Sequence, residues 1–175
     1  MAMQDVFTKI YEDNKWAGSQ SGSGPGSALH TTAAVREALP GIVSEYGVKV
    51  LLDAPCGDYN WMLSLEDLGV DRYIGVDVVA AVIEANQAHV VPGVQFLTAD
   101  LTADPLPRAD LVLCRDCLVH FTEDQIRDAV RNLRDSGTEY LLTTTFFSLT
   151  ENRPGSTGGE GAGGGTGAVS VEVGR

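Results

Sequence analysis

The sequence predicts a doubly wound α/β domain built on a mainly parallel sheet. Three observations predict it. Five short runs are apolar throughout, as strands buried on both faces are, rather than alternating like strands with one wet side. Between them lie segments whose apolar residues recur at helical spacing, so helix and strand alternate along the chain. The 175 residues suit one domain with a sizeable core.

Taken in order, Val6, Phe7, Ile10 and Tyr11 predict a short amphipathic helix over 4–13. The polar stretch Gly18–Ser27 is rich in Gly and Ser, a linker by composition alone. A helix around Thr32–Tyr46 leads into a strand at Val48–Asp53, and a short helix is expected near Trp61–Leu68. Strands at Tyr73–Asp77, Val94–Thr98 and Ala109–Cys114 follow, with a helix over 78–89 between the first two. Thr122 and Gln125 make a capping box for the next helix, Ile126, Val130 and Leu133 its buried stripe, and Gly137 its end. Glu139–Phe146 is the fifth strand. Residues 151–175 read as a Gly-rich disordered tail in which only Ala168–Val173 alternates, enough for one edge strand.

Composition narrows the function. Twenty-four acidic against 12 basic side chains give a net charge of −12, which disfavours nucleic acid, whose binding relies on Lys and Arg neutralising phosphates. Arg127, Arg131 and Arg134 share a helix, but their spacing suits a solvated face. No apolar run approaches the roughly 20 residues that span a bilayer, and no secretory signal is visible. Three cysteines, an odd count, fit a reducing cytoplasm better than a disulfide framework.

In an open α/β sheet the ligand sits beyond the carboxyl ends of the strands. Here those ends carry Asp53, Asp77, Asp100 and Arg115-Asp116, which collects negative charge on one rim. A pyrophosphate needs bare backbone N–H groups and usually a glycine triplet. The first turn, Asp53-Ala54-Pro55-Cys56-Gly57-Asp58, has one glycine between carboxylates, which argues against a nicotinamide dinucleotide and an oxidoreductase. A cationic ligand with a ribose diol and no phosphate suits such a rim, as S-adenosylmethionine does. Asp77, twenty residues beyond Gly57, stands where a strand-end acid can accept both ribose hydroxyls.

Leu52–Asp58 resembles the first motif of the class I S-adenosylmethionine-dependent methyltransferases, although Tyr59 or Asn60 stands where their second glycine is expected. Ile74–Asp77 is similar to their ribose-binding strand end, Ala99–Leu101 to their adenine-side segment, and Leu113–Phe121 to their fourth motif. The resemblance covers roughly residues 48–147 and implies a Rossmann-like sheet. It also implies two further strands, one antiparallel, for which the sequence after the fifth strand leaves little besides a glycine tract. More narrowly, Phe7, Ile10, Tyr11, Trp16 and Ser23-Gly24-Pro25-Gly26-Ser27 resemble the opening of a group of bacterial methyltransferase-like proteins. That resemblance turns residues 1–28 from a linker into a helix and lid ahead of a cofactor-binding domain over 29–150.

The resemblance implies a cofactor site of Trp16, Ser23, Gly24, Asp53, Ala54, Pro55, Gly57, Asp58, Asp77, Val78, Asp100, Leu101 and Arg115. Asp116 and His120 are the candidate catalytic residues, His120 because imidazole titrates near neutrality, with simple packing beside the cofactor as its alternative. Arg115 could hold an acceptor's anionic group or form an ion pair. Cys114, Cys117 and His120 superficially resemble a zinc set, but Cys114 belongs to a strand, and no metal is expected. The expected activity is methyl transfer to an oxygen or nitrogen of a small acceptor, with a non-catalytic or truncated S-adenosylmethionine-binding domain as the alternative. A homodimer is left open.

Overall fold

The computed structural model describes residues 2–16, 20–145 and 168–173, the last as backbone only. α1 (Met3–Glu12) precedes α2 (Ala33–Glu45), β1 (Val50–Asp53), β2 (Arg72–Asp77) and α3 (Ala80–Asn86). β3 (Val94–Thr98), β4 (Leu111–Cys114), α4 (Glu123–Asp135), β5 (Tyr140–Thr145) and β6 (Ala168–Val173) complete it. The sheet order is β3-β2-β1-β4-β5-β6, parallel except for β6, which pairs antiparallel with β5. This is the doubly wound sheet expected, with order reversing between β1 and β4, so their carboxyl ends flank the crevice where a ligand fits.

Burial on both faces explains the apolar strands. Leu51, Tyr73, Leu111 and Leu113 point into one core layer with Val35, Leu39 and Val43 of α2. Leu52, Ile74, Val112 and Cys114 point into the other, against Phe7 and Ile10 of α1 and Ala129 and Leu133 of α4. Alternate residues of each strand feed opposite layers, the period of two at work.

Several boundaries differ from expectation, each for a local reason. β1 starts at Val50 because the amides of Lys49 and Val50 both donate to the Asp110 carboxylate (2.8 and 2.7 Å). The helix expected near Trp61–Leu68 is a single 3₁₀ turn at Met62–Ser64, where Ser64 Oγ donates to the Trp61 carbonyl at 2.6 Å and competes for a helical acceptor. The helix expected over 78–89 is α3 followed by a 3₁₀ turn at Gln87–His89. On α4, Val130 faces solvent and Ala129 takes its place inside. The glycine tract of the expected disordered tail lies outside the described residues, whereas Ala168–Val173 is the edge strand β6.

Thr122 caps α4 as expected, its hydroxyl accepting from Gln125 N–H while the Gln125 side chain accepts from Thr122 N–H. Thr122→Ala is therefore expected to lower stability by about 1 kcal/mol. In urea titration the midpoint should fall with the slope unchanged; an unchanged midpoint would show that the cap contributes nothing.

Candidate cofactor and acceptor site

The site begins with the turn after β1. Cys56 N–H donates to Val76 O at 2.8 Å, which carries the β1–β2 pairing past the strand end and brings the turn over β2. Gly57 follows at φ +54°, a left-handed conformation, and the turn is pinned from both sides. Its N–H donates to Asp77 Oδ2 at 3.1 Å, and its carbonyl accepts from the buried Asn86 side chain, on the last residue of α3, at 2.8 Å. Asp77 Oδ1 accepts from Val79 N–H at 2.9 Å. A Cβ at Gly57 would collide with the Ser23 side chain.

The carboxyl ends of β1, β2 and β4 and the segment after β3 open into one cavity of about 780 Å³. Asp53, Asp77, Asp100 and Asp116 all line it. Asp53 and Asp77 are 2% and 4% exposed, so their charges are held almost out of water. Burial pushes the Asp53 carboxyl up to about 7, against the hydrogen bond from Tyr73 Oη (2.6 Å) and the Arg115 charge, both of which lower it. Burial likewise raises Asp77 to about 6, although backbone N–H groups from Val79, Gly57 and Val78 favour its charged form.

Segments far away in sequence close the cavity. Trp16, beyond α1, lies over His120 with ring centroids 5.0 Å apart, and Phe7 meets both rings edge-on or tilted. Arg115 donates to Asp116 and to the Gly26 carbonyl, each at 2.9 Å, which ties the Pro25–Ser27 turn to the end of β4. Asp116 itself has φ +48°.

Of the expected cofactor residues, Trp16, Ser23, Gly24, Asp53, Pro55, Gly57, Asp77, Val78, Asp100, Leu101 and Arg115 line this cavity, as do Asp116 and His120. Ala54 and Asp58 do not. Ala54 is fully buried in the core, and Asp58 turns its carboxylate onto Ser21 and Gly22. Sequence reasoning missed Tyr11, Cys56, Trp61 and the His30–Thr31 pair on the cavity wall. Tyr11 was visible in the apolar stripe of the first helix and in the N-terminal resemblance, but not as a wall residue; His30 and Thr31 carried no signal at all.

Residues 51–137 match the family model described as Methyltransferase domain. Residues 51–137 thus carry a methyltransferase domain. Among solved structures, it is similar to magnesium protoporphyrin IX methyltransferase from Synechocystis PCC 6803 with bound SAH. There the TM-score is 0.60 at 15% identity, over 84% of this chain and 72% of that one. The methyltransferase domain of bacterial CtHen1-C gives 0.58 at 17% identity, over 67% of this chain and 66% of that one, just under two thirds of its length. Human N-acetylserotonin methyltransferase in complex with SAM gives 0.57 at 15%, over 82% and 42%. At such identities these likenesses speak of the fold alone. No curated protein matches the sequence.

The residues present fit S-adenosylmethionine. The turn spends the Gly57 amide on Asp77, which leaves no bare cradle for a pyrophosphate there. The buried acids instead favour a ligand with positive charge and hydroxyl donors. A cavity of about 780 Å³ is large enough for a drug-sized ligand.

The raised acids give a pH dependence. Above both values the two carboxylates are charged and favour a cation; as pH falls through 7 and then 6 they protonate, and binding must expel those protons. Affinity for S-adenosylmethionine should therefore drop by about tenfold or more from pH 8 to pH 5.5. In the free protein the sign is opposite. Folded carboxyls that hold protons more tightly than their ordinary 3.8 favour the fold in acid, and lose that contribution as pH rises through 6 and 7. Titration calorimetry across this range checks the first effect, and a flat affinity profile would contradict it.

Proposed function

We propose that this methyltransferase acts on an oxygen or nitrogen of a small-molecule acceptor, with Asp116 and His120 facing that acceptor. The observation that carries this reading is the convergence of four acidic chain segments on one cavity that α1 and residues 23–31 also line. A concave site of this size suits a small acceptor, and the charge of −12 argues against nucleic acid as partner. The odd, buried cysteines suit a reducing cytoplasm, and no helix among the described residues is long and apolar enough to cross a membrane.

In this reading Asp77 accepts the ribose hydroxyls, Val78, Asp100 and Leu101 border the adenine, and Asp53 with Pro55, Gly57, Ser23 and Gly24 borders the methionine end. Bound there, the cofactor supplies an electrophilic methyl carried on a sulfonium. The chain's own work is positioning and exclusion of water, the main contributions available to an in-line displacement. Trp16 stacks beside His120 on the cavity wall, and in this reading His120 takes the proton an acceptor hydroxyl or amine must lose. Arg115 is engaged with Asp116 and the Gly26 carbonyl, so its role here is to hold the wall of the site and to temper the charge of Asp53. The non-catalytic alternative gains nothing from the geometry, since the candidate acceptor residues lie on the same cavity as the cofactor residues.

Asp77→Ala should weaken S-adenosylmethionine binding by about 1.5–3 kcal/mol, the range for hydrogen bonds to a charged group. Gly57→Val should abolish binding in a protein that still folds, because its side chain would meet Ser23 in a left-handed backbone. Calorimetry on both variants, with circular dichroism as the folding check, decides the matter: normal binding by either variant would put the cofactor elsewhere.

A further inference from the structure

Asp58 was expected among the cofactor ligands, but its side chain lies off the cavity lining and turns onto the N-terminal segment. Its two carboxylate oxygens accept from Ser21 Oγ at 3.0 and 2.8 Å, and Oδ2 also accepts from Gly22 N–H at 2.8 Å. A longer bond from Asn60 N–H, 3.4 Å, completes the set. Its backbone N–H donates to Ser23 Oγ at 2.9 Å, and that hydroxyl pairs with Tyr11 Oη at 2.7 Å. Ser21 Oγ in turn accepts from Ser23 N–H at 3.1 Å, and Ser21 is buried although polar. One residue of the glycine turn thus receives or gives hydrogen bonds to three consecutive residues of the N-terminal segment. Asn60 adds a fourth anchor further along, donating to Ser27 O at 2.9 Å.

We infer that Asp58 is a positioning residue, a clamp that fastens residues 21–23 to the turn after β1, with Tyr11 as its second jaw. Ser23 and Gly24 line the cavity, whereas Asp58 does not. Holding the segment therefore sets one wall of the site without a contact to what fills it. The same bonds explain why Gly57 has no room for a side chain: Ser23 is drawn onto it by the Asp58 amide and Tyr11. Loosening the segment deforms this wall of the site, so the clamp bears on how long a ligand stays there. The inference rests on the proposed cofactor site for its ligand effects, but the clamp itself is a property of the free protein.

The electrostatics separate this role from a direct one. The Asp58 charge raises the Asp77 carboxyl, so removing it makes Asp77 easier to ionise and by itself helps a ligand that needs the charged form. If Asp58 instead attracted the sulfonium, its loss would weaken S-adenosylmethionine much more than S-adenosylhomocysteine, which lacks that charge; a pull on the α-ammonium that both carry would leave amide exchange in the free protein unaltered. Loss of the clamp affects both alike.

Two variants of the full chain test it, Asp58→Ala and the milder, uncharged Tyr11→Phe. In the free protein, hydrogen exchange at the Gly22 and Ser23 amides should speed up by about tenfold in Asp58→Ala, and less in Tyr11→Phe, while β1 and β2 amides keep their protection. Stopped-flow dissociation of S-adenosylhomocysteine should accelerate by about tenfold in Asp58→Ala, with the ratio of the two ligands' affinities unchanged. Unaltered exchange in both variants, or a loss confined to S-adenosylmethionine, overturns the clamp. If Asp58→Ala does not fold, exchange in Tyr11→Phe decides alone. If the wild-type chain binds no S-adenosylhomocysteine, the cofactor reading fails while the exchange result still decides the clamp.

Discussion

The site depends on one hydrogen bond, from the Gly57 amide to the Asp77 carboxylate. It joins the turn after β1 to the end of β2, and both strand ends must be adjacent for it to form. Everything around it serves that junction. Parallel pairing of Leu52 with Ile74 and Asp53 with Gly75 sets the register, Asn86 holds the turn's carbonyl, and Ser23 closes over the glycine from the N-terminal side. Gly75 lacks a side chain where Phe96 and Cys56 press on it, which lets the turn settle against the sheet.

The same bond bears on what the cavity favours. A glycine turn whose amide is already committed to a carboxylate offers a phosphate repulsion in place of donors. Two acids kept nearly out of water carry a desolvation cost that a cationic, hydroxyl-bearing ligand offsets. Substrate charge and protein charge are thus linked through burial. Burial raises Asp53 and Asp77, so a cation placed beside them would favour their charged forms.

Much of this was legible in the chain. Strand identity was readable because Leu51-Leu52 and Leu111-Val112-Leu113 are apolar on both faces, and α4 announced itself through Thr122 and Gln125. The acids at the strand ends were readable because topology sends all such ends to one edge. What was not readable depends on tertiary choices. Nothing local says that Val130 faces water while Ala129 packs inward, or that Asp110 accepts the amides that would have lengthened β1. Asp58 looked like a ligand because it neighbours the glycine, and only the fold shows its carboxylate turned toward Ser21. The glycine-rich residues 146–167 lie outside the described structure.

An acidic rim of this kind should select a cationic ribose-bearing ligand without phosphate. Calorimetric titration of the full chain at pH 8 with S-adenosylmethionine, and separately with NAD, tests that selectivity most directly. Saturable binding of one S-adenosylmethionine per chain with no heat from NAD is the predicted result. Binding of NAD in its place would contradict the account.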